Sequence, residues 1–307
     1  MHGAAQEPDG TVFRAASDLV LVPANVTDDR GRSVPGLTRQ DFVLKEDGKP
    51  RPIANLTAER TPISVGILMD ASGSMTGERL AMARFAIEQF VSGLERDDEV
   101  FLQTFSNRST VIMPWTRDLA TTSAALDRIA AGGGTALFRA VSDAYALLKR
   151  GRNTRRALIL LSDGNDNEFS GTTLAWGNVP HRTGASSTFN NPQALRRLQL
   201  ALQEAQRSAA TLYAVGIAGN PRDGDAPLDV AKLRQLTDST GGYTEVVTSP
   251  LSVPGAMVRI GDDLRAQYLI GYQSAITNPD GKAHKIELTT EDRRYRVRAR
   301  SVFISSR

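Results

Sequence analysis

The sequence predicts an α/β fold in which a doubly wound, mostly parallel sheet is inserted into a β-sandwich built jointly by the two ends of the chain. Three observations point there. Residues 61–266 alternate apolar strand-like runs with segments of helical periodicity. Two of those runs, Ile63–Asp70 and Ala157–Leu161, are apolar almost throughout, as strands covered on both faces must be. The flanks, residues 14–60 and 267–307, carry strand patterns only, and neither alone offers enough strands to enclose a core. With 307 residues, 40% of them hydrophobic and 23% charged, the chain has the length and composition for two packed cores.

Residues 1–13 read as a flexible N-terminus. Leu19–Thr27 is a strand, followed by a polar turn over 28–31. Phe42–Pro50 is a hairpin, marked by Asp47-Gly48. Ile63–Asp70 opens the inserted module. The helix expected over 77–94 repeats Leu80, Ala83, Ile87, Phe90, Val91 and Leu94 at helical spacing. Glu99–Ser106 is a strand, Ser109–Pro114 turns back as an antiparallel edge, and a helix is expected over 118–131. Another helix runs from the Thr135 loop to residue 149, ahead of the strand Ala157–Leu161. Asn191-Pro192 starts a helix with Leu195, Leu198 and Leu202 on one face, since Asn caps and Pro suits the first turn. Thr211–Ile217 and Gly242–Val247 are strands around a helix over 227–239, which Gly241-Gly242 stops. A closing helix over 253–266 completes the module. Beyond it, Tyr268–Tyr272, Ala283–Thr289 and Tyr295–Ile304 read as strands, with a turn over 278–281.

The net charge is only +3, yet the pI is near 9.3. Much of the excess lies where Arg294, Arg296, Arg298 and Arg300 alternate with Tyr295, Val297 and Ala299. Period two reads as a strand with a solvated basic face, so no nucleic-acid partner is expected. No apolar run approaches the roughly 20 residues of a membrane-spanning helix.

Chemistry concentrates at the end of the first buried run. Asp70, Ser72 and Ser74 present a carboxylate and two hydroxyls at every second residue of one tight loop, hard oxygens that suit a small hard cation such as Mg²⁺. Thr135 lies in the glycine-rich loop Gly132–Leu137 just before a helix, and Asp163 ends the run that begins at Arg156. In an open parallel sheet, ligands bind beyond the carboxyl ends of the strands at the topological switch point, where all three pieces belong.

Asp70, Ser72, Ser74, Thr135 and Asp163 together resemble the metal-ion-dependent adhesion site of von Willebrand factor type A domains. The resemblance implies that Ser72, Ser74 and Thr135 bind the cation through their hydroxyls, while Asp70 and Asp163 act mainly through bound waters. It also implies Mg²⁺ as cofactor, with Mn²⁺ or Ca²⁺ as substitutes, and a protein partner that offers an acidic side chain. Neutral ligand oxygens leave much of the dipositive charge uncompensated, which favours such a partner. Asp41–Gly48 and Gln267–Tyr272 resemble the motifs that flank this domain in bacterial secreted proteins, and the sandwich formed by residues 14–60 and 267–307 is expected to be Ig-like. One departure is Phe138-Arg139, where relatives carry Tyr-Asp. Arg139 either changes the charge near the site or forms a salt bridge to a nearby carboxylate.

The stretch 169–191 is long, rich in Gly, Ser, Thr and Asn, and leaves from beyond Asp163. Phe169, Trp176, His181 and Phe189 within it are candidates for partner contacts. Enzyme readings find little support. No cysteine is present, so disulfides, thiol catalysis and sulfur-bound zinc are excluded. His2, His181 and His284 form no spaced pair, and neither Ser72 nor Ser74 sits in a Gly-x-Ser-x-Gly elbow. No phosphate loop occurs. Asp163–Glu168 lacks the glycine and terminal Glu of a calcium loop, and Asp223-Gly-Asp225 reads as a turn, with a second cation there left open. The expectation is a non-enzymatic, cation-dependent protein-binding module. An intracellular assembly factor for an ATPase and a metal-dependent hydrolase are the alternatives. The polar start reads as that of a mature secreted or periplasmic chain whose signal peptide is absent, with a cytoplasmic location left open.

Overall fold

In the computed structural model, which describes residues 19–58, 61–164, 192–219, 228–276 and 280–305, local pattern and burial agree from the first strand onward. β1 (Leu19–Thr27) buries Val20, Val22, Ala24 and Val26. β2 (Phe42–Glu46) alternates strictly, with Phe42, Leu44 and Glu46 inward. The buried Glu46 carboxylate is fully answered: it accepts from Tyr272 Oη at 3.1 Å, Ser274 Oγ at 2.6 Å, Ala275 N at 3.0 Å and Arg51 Nε at 3.1 Å. Asp47 and Gly48 both take positive φ, 48° and 76°, the geometry of a two-residue hairpin turn, and lead into β3 (Lys49–Arg51). β4 (Ile53–Thr57) follows.

The inserted module then runs through β5 (Ile63–Asp70), α1 (Glu78–Ser92), β6 (Glu99–Phe105), β7 (Ser109–Thr116), α2 (Thr122–Asp127), α3 (Leu137–Leu148) and β8 (Arg155–Ser162). It continues with α4 (Pro192–Arg207), β9 (Thr211–Ile217), α5 (Val230–Asp238), β10 (Thr244–Val247) and α6 (Val253–Arg265). The strand order is β10-β9-β8-β5-β6-β7, and of these pairs only β6–β7 is antiparallel. Both faces are covered, which explains the near-continuous apolar runs. Val65, Ile67 and Met69 of β5 pack on one face with Ile87 of α1 and Met257 and Ile260 of α6. Leu68 joins Leu158 and Leu160 on the other, under Val141 and Tyr145 of α3 and Leu198 of α4. Gly66 sits in mid-strand because a Cβ there would lie 2.5 Å from the Phe101 ring.

The helix expected over 118–131 is shorter. A 3-10 turn at Leu119–Thr121 leads into α2, which stops at Asp127. The chain tightens there into three-residue hydrogen bonds, Arg128 N to Ala125 O and Ile129 N to Leu126 O, and the Arg84 guanidinium takes the Ile129 carbonyl that a longer helix would need.

After the module come β11 (Tyr268–Gln273), β12 (Ala283–Thr290), β13 (Arg296–Ala299) and β14 (Val302–Ile304). They interleave with the N-terminal strands in two antiparallel sheets, β13-β1-β11-β4 and β14-β12-β2-β3. Val22 of β1, Leu44 of β2, Tyr268, Ile270 and Tyr272 of β11 and Leu288 of β12 share one core between these sheets. The single strand expected over 295–304 is broken. Arg300 N still bonds Pro23 O on the β1 side, while Ser301 O accepts from Ile286 N of β12, so the chain crosses between sheets at this point.

The expected solvated basic face is corrected with it. Arg294 is exposed, but Arg298 and Arg300 turn into the seam between the module and the β-layers. Arg298 grips both Asp263 carboxylate oxygens at 2.6 Å, and Tyr213 Oη donates to the same carboxylate at 2.7 Å. Asn25 Nδ2 donates to Asp263 O at 2.7 Å, and Gln267 Nε2 reaches Thr211 Oγ1 at 3.0 Å. These bonds join α6 and β9 to β1 and β13. No helix among the described residues is long and apolar enough to cross a membrane.

Candidate metal centre

Asp70 and Ser162 are the last residues of β5 and β8, adjacent parallel strands whose register pairs Met69 with Leu161. The chain leaves β5 toward β6 on one side and returns through α3 to β8 on the other, which makes this edge the switch point of the sheet. The Asp70 side chain is wholly buried. Its Oδ1 accepts from Ser72 N at 2.8 Å and its Oδ2 from Ser162 Oγ at 2.7 Å, while Ser162 Oγ accepts from Gly164 N at 3.0 Å. Burial first, and the Asp163 charge second, push the Asp70 carboxyl up to about 7, against the pull of those hydrogen bonds. Asp163 is itself buried.

The loop after β5 is a tight turn, closed by Met75 N to Ser72 O at 3.0 Å and anchored by the buried Met75. It brings Ser72 Oγ and Ser74 Oγ to 3.1 Å, with Ser72 buried and Ser74 on the surface. The glycine-rich loop is laced to this turn: Gly132 N donates to Ala71 O at 2.8 Å and Gly73 N to Gly133 O at 3.0 Å. Gly133 has φ +82°, and a Cβ there would meet Asn107 Nδ2 at 2.8 Å, so both conformation and space call for glycine. Asn107 Oδ1 accepts from Gly134 N at 2.8 Å and Ser106 O from Ala136 N at 2.8 Å. Thr135, buried, lies between those two anchor points.

Asp70, Ser72, Ser74, Thr135 and Asp163 thus occupy three loops at one edge of the sheet. Phe138 is buried against the sheet, and Arg139 stands partly buried one turn beyond Thr135. Phe169, Trp176, His181 and Phe189 lie outside the described residues, as does Asp223-Gly-Asp225. Two supporting residues escaped the sequence reading. Ser162 is signalled only by standing beside Asp163, and Asn107 by nothing local, since its partners are 27 residues away. The donor set is two carboxylates and three hydroxyls, all hard oxygen, which fits Mg²⁺ in kind. Among the described residues no group of three or more His, Cys, Asp or Glu could hold a metal, so at this edge hydroxyls would have to complete any cation's shell.

Residues 65–165, spanning β5 to the segment just past β8, match the family model described as von Willebrand factor type A domain. This part of the chain is a VWA domain. An uncharacterized Synechocystis protein, sll0103, is 28% identical over 111 residues, which cover 36% of this chain. The chain spans about a quarter of that curated relative's length, 26%. A von Willebrand factor type A structure from Catenulispora acidiphila superposes with a TM-score of 0.52 at 14% identity, covering 96% of this chain and 76% of its own. A point mutant of the PilB minor pilin from Streptococcus sanguinis gives a TM-score of 0.51 at 14% identity, covering 71% of this chain and 64% of its own. At such identities these likenesses speak for the fold, an α/β VWA sheet flanked here by antiparallel sheets.

Proposed function

We propose that the chain is a non-enzymatic, divalent-cation-dependent protein-binding module in which Asp70, Ser72, Ser74, Thr135 and Asp163 hold Mg²⁺, with Mn²⁺ or Ca²⁺ as substitutes. The observation that carries this reading is the pairing, at one sheet edge, of two buried carboxylates with the facing hydroxyls of Ser72 and Ser74. Two carboxylates that repel one another in a desolvated site are an arrangement that a cation relieves. When bound, the cation supplies an electrophilic position for an acidic side chain of a partner protein. The residues of this chain do the rest: Asp70 braces the turn through Ser72 N, Ser162 fixes Asp70, and the Gly132–Gly134 lacing sets Thr135 beside that turn.

Residues 61–266 would act as the binding head and residues 14–60 with 267–307 as an Ig-like support. A secreted or periplasmic setting fits this reading, and a minor pilin among the structural relatives accords with an adhesive role. Phe169, Trp176, His181 and Phe189 are assigned to partner contacts from the sequence alone.

Titration calorimetry with Mg²⁺ and Mn²⁺ on the wild type, Asp70→Ala and Thr135→Ala tests the site. Cation affinity should fall at least roughly tenfold in each variant with the circular dichroism unchanged. Unchanged affinity in either removes that residue from the site. Capture from the native envelope in Mg²⁺ against EDTA should yield a protein released by EDTA, and cation-dependent turnover of phosphoesters or peptides would overturn the non-enzymatic reading.

A further inference from the structure

His284, the second residue of β12, is the only histidine among the described residues. Its ring is bracketed by two carboxylates. Nδ1 lies 2.9 Å from Asp47 Oδ2 in the turn between β2 and β3, and Nε2 lies 3.2 Å from Asp280 Oδ1 in the turn ahead of β12. Both carboxylates are already acceptors elsewhere: Asp47 Oδ1 accepts from Lys285 N at 2.9 Å, and Asp280 Oδ1 accepts from Lys282 N at 2.9 Å and Ser305 Oγ at 2.8 Å. Those bonds hold both below the ordinary Asp range, Asp47 through His284 first and the Lys285 amide second, Asp280 through the Lys282 amide first and Ser305 second. An ionised carboxylate can only accept. Both ring nitrogens must therefore donate, and the ring carries two N–H groups only as the imidazolium.

The surroundings of the ring favour that form. One neighbour is Phe303 of β14, with ring centres 5.3 Å apart at a 36° tilt. The nearby cations bear on the carboxylates: Lys49 acts on Asp47, and Lys282 Nζ is 3.6 Å from Asp280 Oδ2. Lys285 Nζ is drawn to Glu287, and Glu46 turns inward onto Tyr272. Burial lowers the proton affinity of the ring, but the bonds to Asp47 and then Asp280 outweigh it and hold His284 above the ordinary histidine range.

Three pieces of backbone meet here. His284 is paired in register with Phe303 of the edge strand β14, the residue after that strand, Ser305, is bonded to Asp280, and Asp47 brings in the β2–β3 turn. A neutral ring has one N–H for two carboxylates, so one of them would face a bare nitrogen lone pair.

We infer that His284 is a proton-operated latch of the β14-β12-β2-β3 sheet. Charged, it ties the β2–β3 turn to the turn ahead of β12 and, through Ser305, to the end of β14; neutral, it lets one carboxylate go. The folded ring holds its proton more tightly than the unfolded chain does. The latch thus contributes its full stability below about pH 6.5 and loses it as pH rises through the folded midpoint. Asp47 and Asp280, shifted the other way, contribute theirs above about pH 3.8 and lose it as pH falls through their folded midpoints. All these groups lie in the β-layers, so the assignment stands independently of the metal reading.

Long-range nitrogen–proton NMR correlation across a pH titration of the full chain tests the latch. The His284 signal is assigned by its loss in His284→Gln or, should that variant not fold, by the contact with the Phe303 ring. In the wild type both ring nitrogens should be protonated below a midpoint that lies above about 6.5. Asp47→Asn and Asp280→Asn should each lower that midpoint by at least about half a pH unit. The difference in urea midpoint between wild type and His284→Gln should be wider at pH 6 than at pH 9. A wild-type midpoint at or below 6.5, a midpoint unmoved in either Asn variant, or a difference that does not narrow at pH 9 would each overturn the proposal.

Discussion

Replacing Asp70 by Asn should make the metal-free protein more stable. The folded carboxyl is held up to about 7 by burial and by Asp163, against 3.8 for an ordinary Asp. In EDTA the folded chain therefore keeps a proton that the unfolded chain has released, so stability falls as pH rises from about 4 to about 7 and stays low above. The ionised side chain costs the folded state about 4 kcal/mol at pH 8. Asn has the same shape, can accept from Ser72 N through its oxygen, and can donate to Ser162 Oγ where Asp70 accepts from it. Urea unfolding of both proteins in EDTA at pH 4 and pH 8 isolates the effect. The two should match at pH 4 and separate by up to about 4 kcal/mol at pH 8 in favour of the variant. Mg²⁺ should then close the gap by stabilising the wild type alone. A variant no more stable than the wild type at pH 8 in EDTA would refute the reasoning, because it would mean that burial and Asp163 impose no penalty.

Two further outcomes concern the packing. Asp263→Ala strands Arg298 and the fully buried Tyr213 hydroxyl; since a third of the Arg298 side chain reaches solvent, the loss should sit at the low end for a broken buried pair, about 3 kcal/mol in urea unfolding. A double-mutant cycle with Arg298→Met should return a coupling above about 1 kcal/mol, and simple additivity would show that the pair does not tie the module to the β-layers. Gly242→Ala should cost about 3 kcal/mol, because its Cβ would lie 1.8 Å from the Leu212 carbonyl oxygen, a backbone atom that cannot rotate away; an unchanged melting temperature would argue against that close approach.

Strand positions were legible in the sequence wherever burial imposed a pattern: Leu19–Thr27 and Thr211–Ile217 match their expected limits residue for residue. The candidate-site loops were legible because Asp, Ser, Gly and Thr at strand ends have a chemical reason to be there. What stayed hidden depends on distant partners. Arg298 and Arg300 keep the same alternation as Arg294 and Arg296, and only the position of Asp263 and of the Leu21, Gln206 and Val302 carbonyls decides that they are internal. The same holds for α2, cut short by an Arg84 contact 45 residues away, and for the sheet crossing at Arg300-Ser301, which period two cannot announce.

The chain enters the VWA module from β4 and leaves it into β11, and these two strands are hydrogen-bonded to each other, from Leu269 opposite Thr57 to Tyr272 opposite Ile53. Tension that reaches β4 is therefore passed straight to β11 rather than through the module. The sheets bear the load, and the loops carrying Asp70, Thr135 and Asp163 hang beside the force path, unstretched until that strand pair shears.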